Sequence, residues 1–194
     1  LRARNMLPVF LVLVIATVPY FAHSQTPTIE QAIDQLKELI EQGRYSEADG
    51  LVPVIMEFIG SESAENLSIK AAALNAVGEL HIEQGRLDKG EILVQRSLEI
   101  REMFLGPQHA DVAESLSNLA RIEIQRKKFT QAEALIQRSM HILEKAKGVN
   151  HPDFAESLNG LGLLELVAQR FPAADEMIQR ALNIRRESLA PGHR

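Results

Sequence analysis

Three histidines, His109, His151 and His193, stand 42 residues apart, and two acids between them, Glu123 and Glu165, repeat at the same interval. Histidine and carboxylate side chains ligate metals and move protons near neutral pH. The first question is whether this spacing can bring them together. If each 42-residue block is a pair of packed helices, equivalent residues fall roughly 16–20 Å apart. Zinc ligands sit about 2 Å from their ion, and the paired carboxylates of glycoside hydrolysis stand about 5–9.5 Å apart. Neither chemistry fits. Each junctional histidine is expected to cap the helix that follows it, and His81 and His141 have no partner at ligand spacing. The chain carries no Ser/His/Asp arrangement, no glycine-rich phosphate loop and no His/Cys cluster. It is therefore expected to be no enzyme and to use no metal and no cofactor.

The spacing itself is the informative signal. Residues 109–150 and 151–192 align without a gap and agree at 14 of 42 positions, where chance would give roughly two or three. Leu74, Leu116 and Leu158 form one column, and Arg86, Lys128 and Arg170 a second. Gln95-Arg96, Gln137-Arg138 and Gln179-Arg180 form a third. One step further back, Glu41-Gln42-Gly43-Arg44-Tyr45 lies under Glu83-Gln84-Gly85-Arg86-Leu87. The array divides into a divergent first unit, 25–66, then 67–108, 109–150 and 151–192. His193 would open a further, missing unit, so the chain is expected to be a fragment of a longer array.

Within 109–150, Val112, Leu116, Leu119, Ile122 and Ile124 recur at helical spacing. The polar stretch 125–128 breaks the stripe, and a second runs from Phe129 through Ile136 and Met140 to Leu143, ended by Gly148 as a left-handed cap. Each unit thus reads as a helix, a tight turn and a second helix, with Pro152 at a first helical position. Two columns stay small: Gly78, Ala120 and Gly162 on first helices, and Ala48, Gly90, Ala132 and Ala174 on second helices. Glycine inside a helix costs about 1 kcal/mol, so its recurrence implies that paired helices cross closely there. Tyr45, Leu87, Phe129 and Phe171 should plug the turns. Pro53 should kink or split the second helix of the first unit. One pair cannot bury both stripes alone, so the units must stack.

Leu116-Ser117-Asn118-Leu119-Ala120, Phe129-x-x-Ala132-Glu133 and Gln137-Arg138-Ser139 resemble the tetratricopeptide repeat. The 42-residue period and the opening from His151 to Leu158 are similar to the kinesin-light-chain-type form of that repeat, as is the linker Leu105-Gly106-Pro107-Gln108-His109. The resemblance covers most of 67–193 and, more weakly, 25–66. The family usually has a tyrosine where this chain has His81, Glu123 and Glu165. The resemblance implies an all-α, right-handed α-solenoid of about four helix-turn-helix pairs, whose first helices line a concave groove for a protein or peptide ligand.

On that expectation the groove residues are Asn75, Glu79, Ile82 and Glu83 in the second unit, and Glu114, Ser117, Asn118, Arg121 and Gln125 in the third. The fourth contributes Glu156, Asn159, Leu163 and Val167, and the first Asp34 and Lys37. An asparagine amide can bond a bound peptide's N–H and C=O together. The groove is expected to be acidic at its N-terminal end, at Glu79 and Glu83, and apolar towards Leu163 and Val167, suiting a partner with a basic segment and an apolar anchor. The Gln-Arg pairs are expected to be solvated surface on the convex side.

The N-terminus has another character. Residues 1–24 carry Arg2 and Arg4, no acid, an apolar run from residue 7, and Ala22-His23-Ser24 at the exit. That is the layout of a secretory signal peptide, and 16 residues interrupted by Pro8 and Pro19 are short for a membrane span. A cleaved signal and a periplasmic or secreted location are expected, with an uncleaved N-terminal membrane anchor as the alternative. The chain opens with Leu1, so its true start is expected to be missing. There is no cysteine. Without Arg2 and Arg4, 19 basic residues face 26 acidic ones, which argues against nucleic acid as a partner. The expected role is a non-enzymatic protein-interaction scaffold of the cell envelope. Alternatives are self-association through an uncapped last helix, where Ile178, Ala181, Leu182 and Ile184 are expected to be exposed, or service as the recognition arm of a larger protein.

Overall fold

A computed structural model describes residues 28–61 and 66–188. The expected leader, the first three residues of the first unit and His193 lie outside them. Among the described residues there are nine helices and no strand: α1 (Ile29–Glu41), α2 (Tyr45–Asp49), α3 (Val52–Gly60), α4 (Leu67–Glu83), α5 (Leu87–Leu105), α6 (Ala110–Gln125), α7 (Phe129–Ala146), α8 (Pro152–Val167) and α9 (Phe171–Ser188). None of them is long and apolar enough to cross a membrane. Successive helices pair antiparallel as α4/α5, α6/α7 and α8/α9, and the pairs stack. The fold is an all-α solenoid. First helices touch one another along the series α1, α4, α6, α8, whereas α5, α7 and α9 meet only first helices. The array therefore curves towards the first helices, which form its inner wall.

Local chemistry explains the boundaries. His109 and His151 adopt extended backbone and accept, through Nδ1, the N–H of Asp111 and Asp153, each at 3.2 Å. The histidine column is a capping column. At the other end of each first helix, a left-handed residue closes the turn: Gly43 (φ 69°), Gly85 (72°), Lys127 (61°) and Gln169 (59°). The next N–H, from Arg44, Arg86, Lys128 or Arg170, reaches back to the carbonyl five residues earlier, at 2.8 Å in all four turns. Gly148 ends α7 at φ 86°. Pro53 splits the second helix of the first unit into α2 and α3, standing in the first turn of the latter.

The small columns mark close helix crossings. A Cβ on Gly78 would lie 2.6 Å from Val94 Cγ2, and one on Gly90 3.0 Å from the Gly78 carbonyl. Ala120 and Ala132 are both buried at the same crossing of α6 and α7. The last pair departs from expectation twice. Phe171, unlike half-buried Tyr45, Leu87 and Phe129, is 61% exposed, because no described helix covers α9 as α8 covers α7. Ala181 and Ile184, expected outside, are buried against α8, because that part of α9 turns towards its own pair. Leu182 remains exposed and Ile178 half-buried above Gly162.

Candidate functional site: the concave groove

The inner wall holds two adjoining cavities of about 290 and 190 Å³. Lys37, Glu114, Ser117 and Glu156 line both; Glu79, Glu41 and Asn118 line the second, and Asp111, Lys147 and Asp153 the first. The groove centre thus draws on α1, α4, α6 and α8, because these first helices pack side by side. Lys37 Nζ donates to Glu114 Oε1 at 2.9 Å, reaching from α1 past α4 to α6. Glu114 also accepts from Arg101 Nη2 at 2.7 Å.

Arg101 is 3% exposed, and its second nitrogen donates to the Asp111 carbonyl and Ser115 Oγ, both at 2.8 Å. Burial pushes the Glu114 carboxyl up, but Arg101 and Lys37 together outweigh it and hold it below the usual range. Glu156, the equivalent residue on α8, has no ion-pair partner among the described residues. Although its side chain is exposed, protein walls surround it; this desolvation raises its pKa, with Arg121 opposing and Glu114 adding to the rise. Desolvation likewise raises Glu79, against the pull of Arg121.

Several expected groove residues stand elsewhere or are already occupied. Asn75 is fully buried, its Oδ1 accepting from Ser115 Oγ at 3.1 Å, because α6 packs directly over that face of α4. It cannot meet a partner. Ile82 is buried too, against α5 and α6. Glu79 and Glu83 do face the groove, but both are paired to Arg121, at 3.2 Å for Glu79, and Glu83 also accepts from Tyr45. Arg121 thus shares one positive charge between the two acids of the expected free acidic end, and Glu41 and Glu156 are the carboxylates of the second cavity without an ion pair among the described residues. Asn118 lines the second cavity and its Oδ1 accepts from Arg121 at 3.1 Å. Gln125 is exposed at the end of α6, outside both cavities, and Asn159 is half-buried on α8. Leu163 and Val167 are exposed on the same face of α8 as Glu156.

The family model of the tetratricopeptide repeat matches residues 70–145 and 114–187, together more than half of the chain. The chain belongs to the tetratricopeptide repeat family. No curated protein matches it by sequence. Among solved structures, it is similar to BtubC (BKLC) from P. vanneervenii, with a TM-score of 0.66 and 23% identity over 86% of this chain and 65% of that one. At that identity the likeness concerns the fold, and the chain spans just under two thirds of the BtubC chain. Tetratricopeptide repeats are typically non-catalytic modules that bind protein partners.

In this tetratricopeptide array the two repeated acids stand in the last turns of α6 and α8. Glu123 pairs with Arg126 and Lys128, and Glu165 with Arg170. His81, their counterpart, is half-buried; burial and the nearby Arg86 lower its pKa. No group of three His, Asp or Glu residues among those described is placed to hold a metal. The Gln-Arg column is only partly solvated surface: Arg138 pairs with Glu102 of the preceding unit, and Arg180 lies 5.6 Å over the Phe154 ring. Sequence reasoning missed the polar seam between units. Ser97 and Ser139 donate to the Ala71 and Ala113 carbonyls at 2.7 and 3.0 Å, and each meets a serine of the next unit, Ser115 or Ser157. Its signal was the serine after the first two Gln-Arg pairs, Ser97 and Ser139, and Arg101 standing where Leu143 stands one unit later.

Proposed function

We propose that the chain is a non-enzymatic scaffold of the cell envelope whose groove receives an extended segment of a partner protein, with a basic residue at Glu156 and an apolar residue against Leu163 and Val167. The observation that carries this reading is the α8 stripe. Glu156, Asn159, Leu163 and Val167 share one helical face, and Glu156 lines both cavities without an ion-pair partner among the described residues. A cation placed there offsets the desolvation of the carboxylate, and the exposed leucine and valine offer area worth about 25 cal/mol per Å² when covered. Arg121 and Lys37 engage Glu79, Glu83 and Glu114, which leaves Glu156 open to a basic contact beside the apolar stripe. The leader of residues 1–24 supports export to the periplasm or beyond.

The test is site-specific photo-crosslinking in the exported fraction, with probes at Asn159 and Leu163 in the groove and at Ile92 on an outer helix. One partner crosslinked from both groove positions, and lost in Glu156→Arg, is the expected result. Crosslinks from Ile92 alone would overturn the reading.

A further inference from the structure

A second surface lies on the convex side, away from the groove and from both ends of the array. Ile92, Arg96, Glu99 and Met103 recur at intervals of four, three and four residues along α5, so they share one face within about 60° of arc. All four are exposed, Ile92 by 69% and Met103 by 76%. Among the described helices, α5 packs only on α4 and α6, with Val94, Leu98 and Arg101 buried on its opposite side. The face is open by its place in the repeat and not by where the chain stops. Its equivalents on α7, Ala134, Arg138, His141 and Lys145, are all exposed although units stand on both sides of them. A helix normally turns polar residues to such a face, and α9 does so with Glu176, Arg180, Asn183 and Glu187. Of these three helices, α5 alone carries large apolar residues at both ends of the column.

The order of the four residues selects the occupant. Apolar, basic, acidic, apolar is complementary to itself read backwards. A two-fold axis crossing α5 at the level between Ser97 and Leu98 makes two copies of this helix antiparallel. Ile92 of each copy then meets Met103 of the other, and Arg96 of each meets Glu99 of the other. A parallel pairing would oppose like charges. Neither Arg96 nor Glu99 has an ion-pair partner among the described residues, and Glu99 accepts only from Gln95 at 3.5 Å. The same operation would set Arg138 against His141 on α7, and Glu176 against Glu187 on α9, so neither of those helices can pair in this way. We propose that the outer face of α5 docks a second copy of the chain, back to back, through an antiparallel pair of α5 helices. Ile92 and Met103 stand about 16 Å apart along the helix, so the two apolar contacts bracket the two ion pairs. The array curves away from this face, which centres the contact on α5. Over a 19-residue helix it covers roughly 800–1,000 Å² in total, at the low end for association, so the dimer is expected to be reversible at micromolar concentration. Both grooves stay open, facing away from the contact.

Sedimentation velocity over about 1–200 μM tests this with the full chain. The expected result is a monomer–dimer equilibrium that Ile92→Glu weakens at least about tenfold, with helicity by circular dichroism unchanged because the position is exposed. Arg96→Glu and Glu99→Arg should each weaken it, and the double variant should restore it, because the swap recreates both ion pairs. A monomer throughout the range, a dimer indifferent to Ile92→Glu, or a double variant no better than either single one would each overturn the proposal.

Discussion

The junction between the second and third units and the junction between the third and fourth share one geometry and carry different chemistry. In the first, Arg101 leaves α5 and clamps Glu114, Ser115 and the Asp111 carbonyl of α6. In the second, Leu143 takes that position and is buried in the core, so Glu156, the counterpart of Glu114, has no arginine behind it. One carboxyl is held below the usual range and the other above it. The fold sets where these side chains stand, and a single column decides which carboxylate is left free for a ligand. Function in such an array is written in the differences between repeats.

Exchanging the columns should break the contrast. Arg101→Leu, copying the later junction, leaves Ser115 and a buried carbonyl without their donor and is expected to cost about 2–3 kcal/mol by denaturant unfolding. It should also raise the Glu114 pKa in an NMR titration. Glu114→Gln keeps the shape but removes the charge, at a cost of about 1–2 kcal/mol near pH 7, discounted because Glu114 is partly exposed. The folded pKa lies below the ordinary 4.5, so this contribution is present above that pH. It is lost as pH falls through the lowered value, and the variant should converge on wild type in acid.

A third contrast separates the two halves at their turns. Gly43 and Gly85 take the left-handed conformation freely, whereas Lys127 and Gln169 hold it against their own Cβ. Lys127→Gly is expected to stabilise by up to about 1 kcal/mol, and Gly85→Lys to destabilise by a similar amount, read as opposite shifts of the thermal midpoint. Smallest is Glu156→Gln. Its raised pKa means that ionisation opposes folding as pH rises through the folded value. The variant should gain a few tenths of a kcal/mol near neutrality, screened by solvent, and nothing in acid.

The helices, turns and stacking were legible because hydrophobic period and repeat period report local geometry directly. His109 and His151 as caps, Pro53 as a break and Gly78 against Gly90 all follow from one residue's covalent shape. The groove was legible only in outline. Asn75 and Asn118 read alike, yet α6 lies over the first, and the third-unit asparagine keeps an edge in the cavity. Arg121 was expected in the groove, but its pairing with Glu79 and Glu83 depends on a cross-unit distance that no single unit encodes. Burial and pairing between units arise from superhelical curvature, and the sequence states that only through the family.

In a linear array each unit holds only its neighbours, and either end can melt by itself. The Lys37–Glu114 bridge breaks that rule, because it ties the first pair to the third across the second. The split first pair thereby gains a hold on the centre of the array, worth up to about 1 kcal/mol for a partly exposed pair. Slow amide exchange in α1 should accordingly follow α6 more closely than distance along the chain would suggest, so that the array loosens as a cooperative block, not as a string of beads.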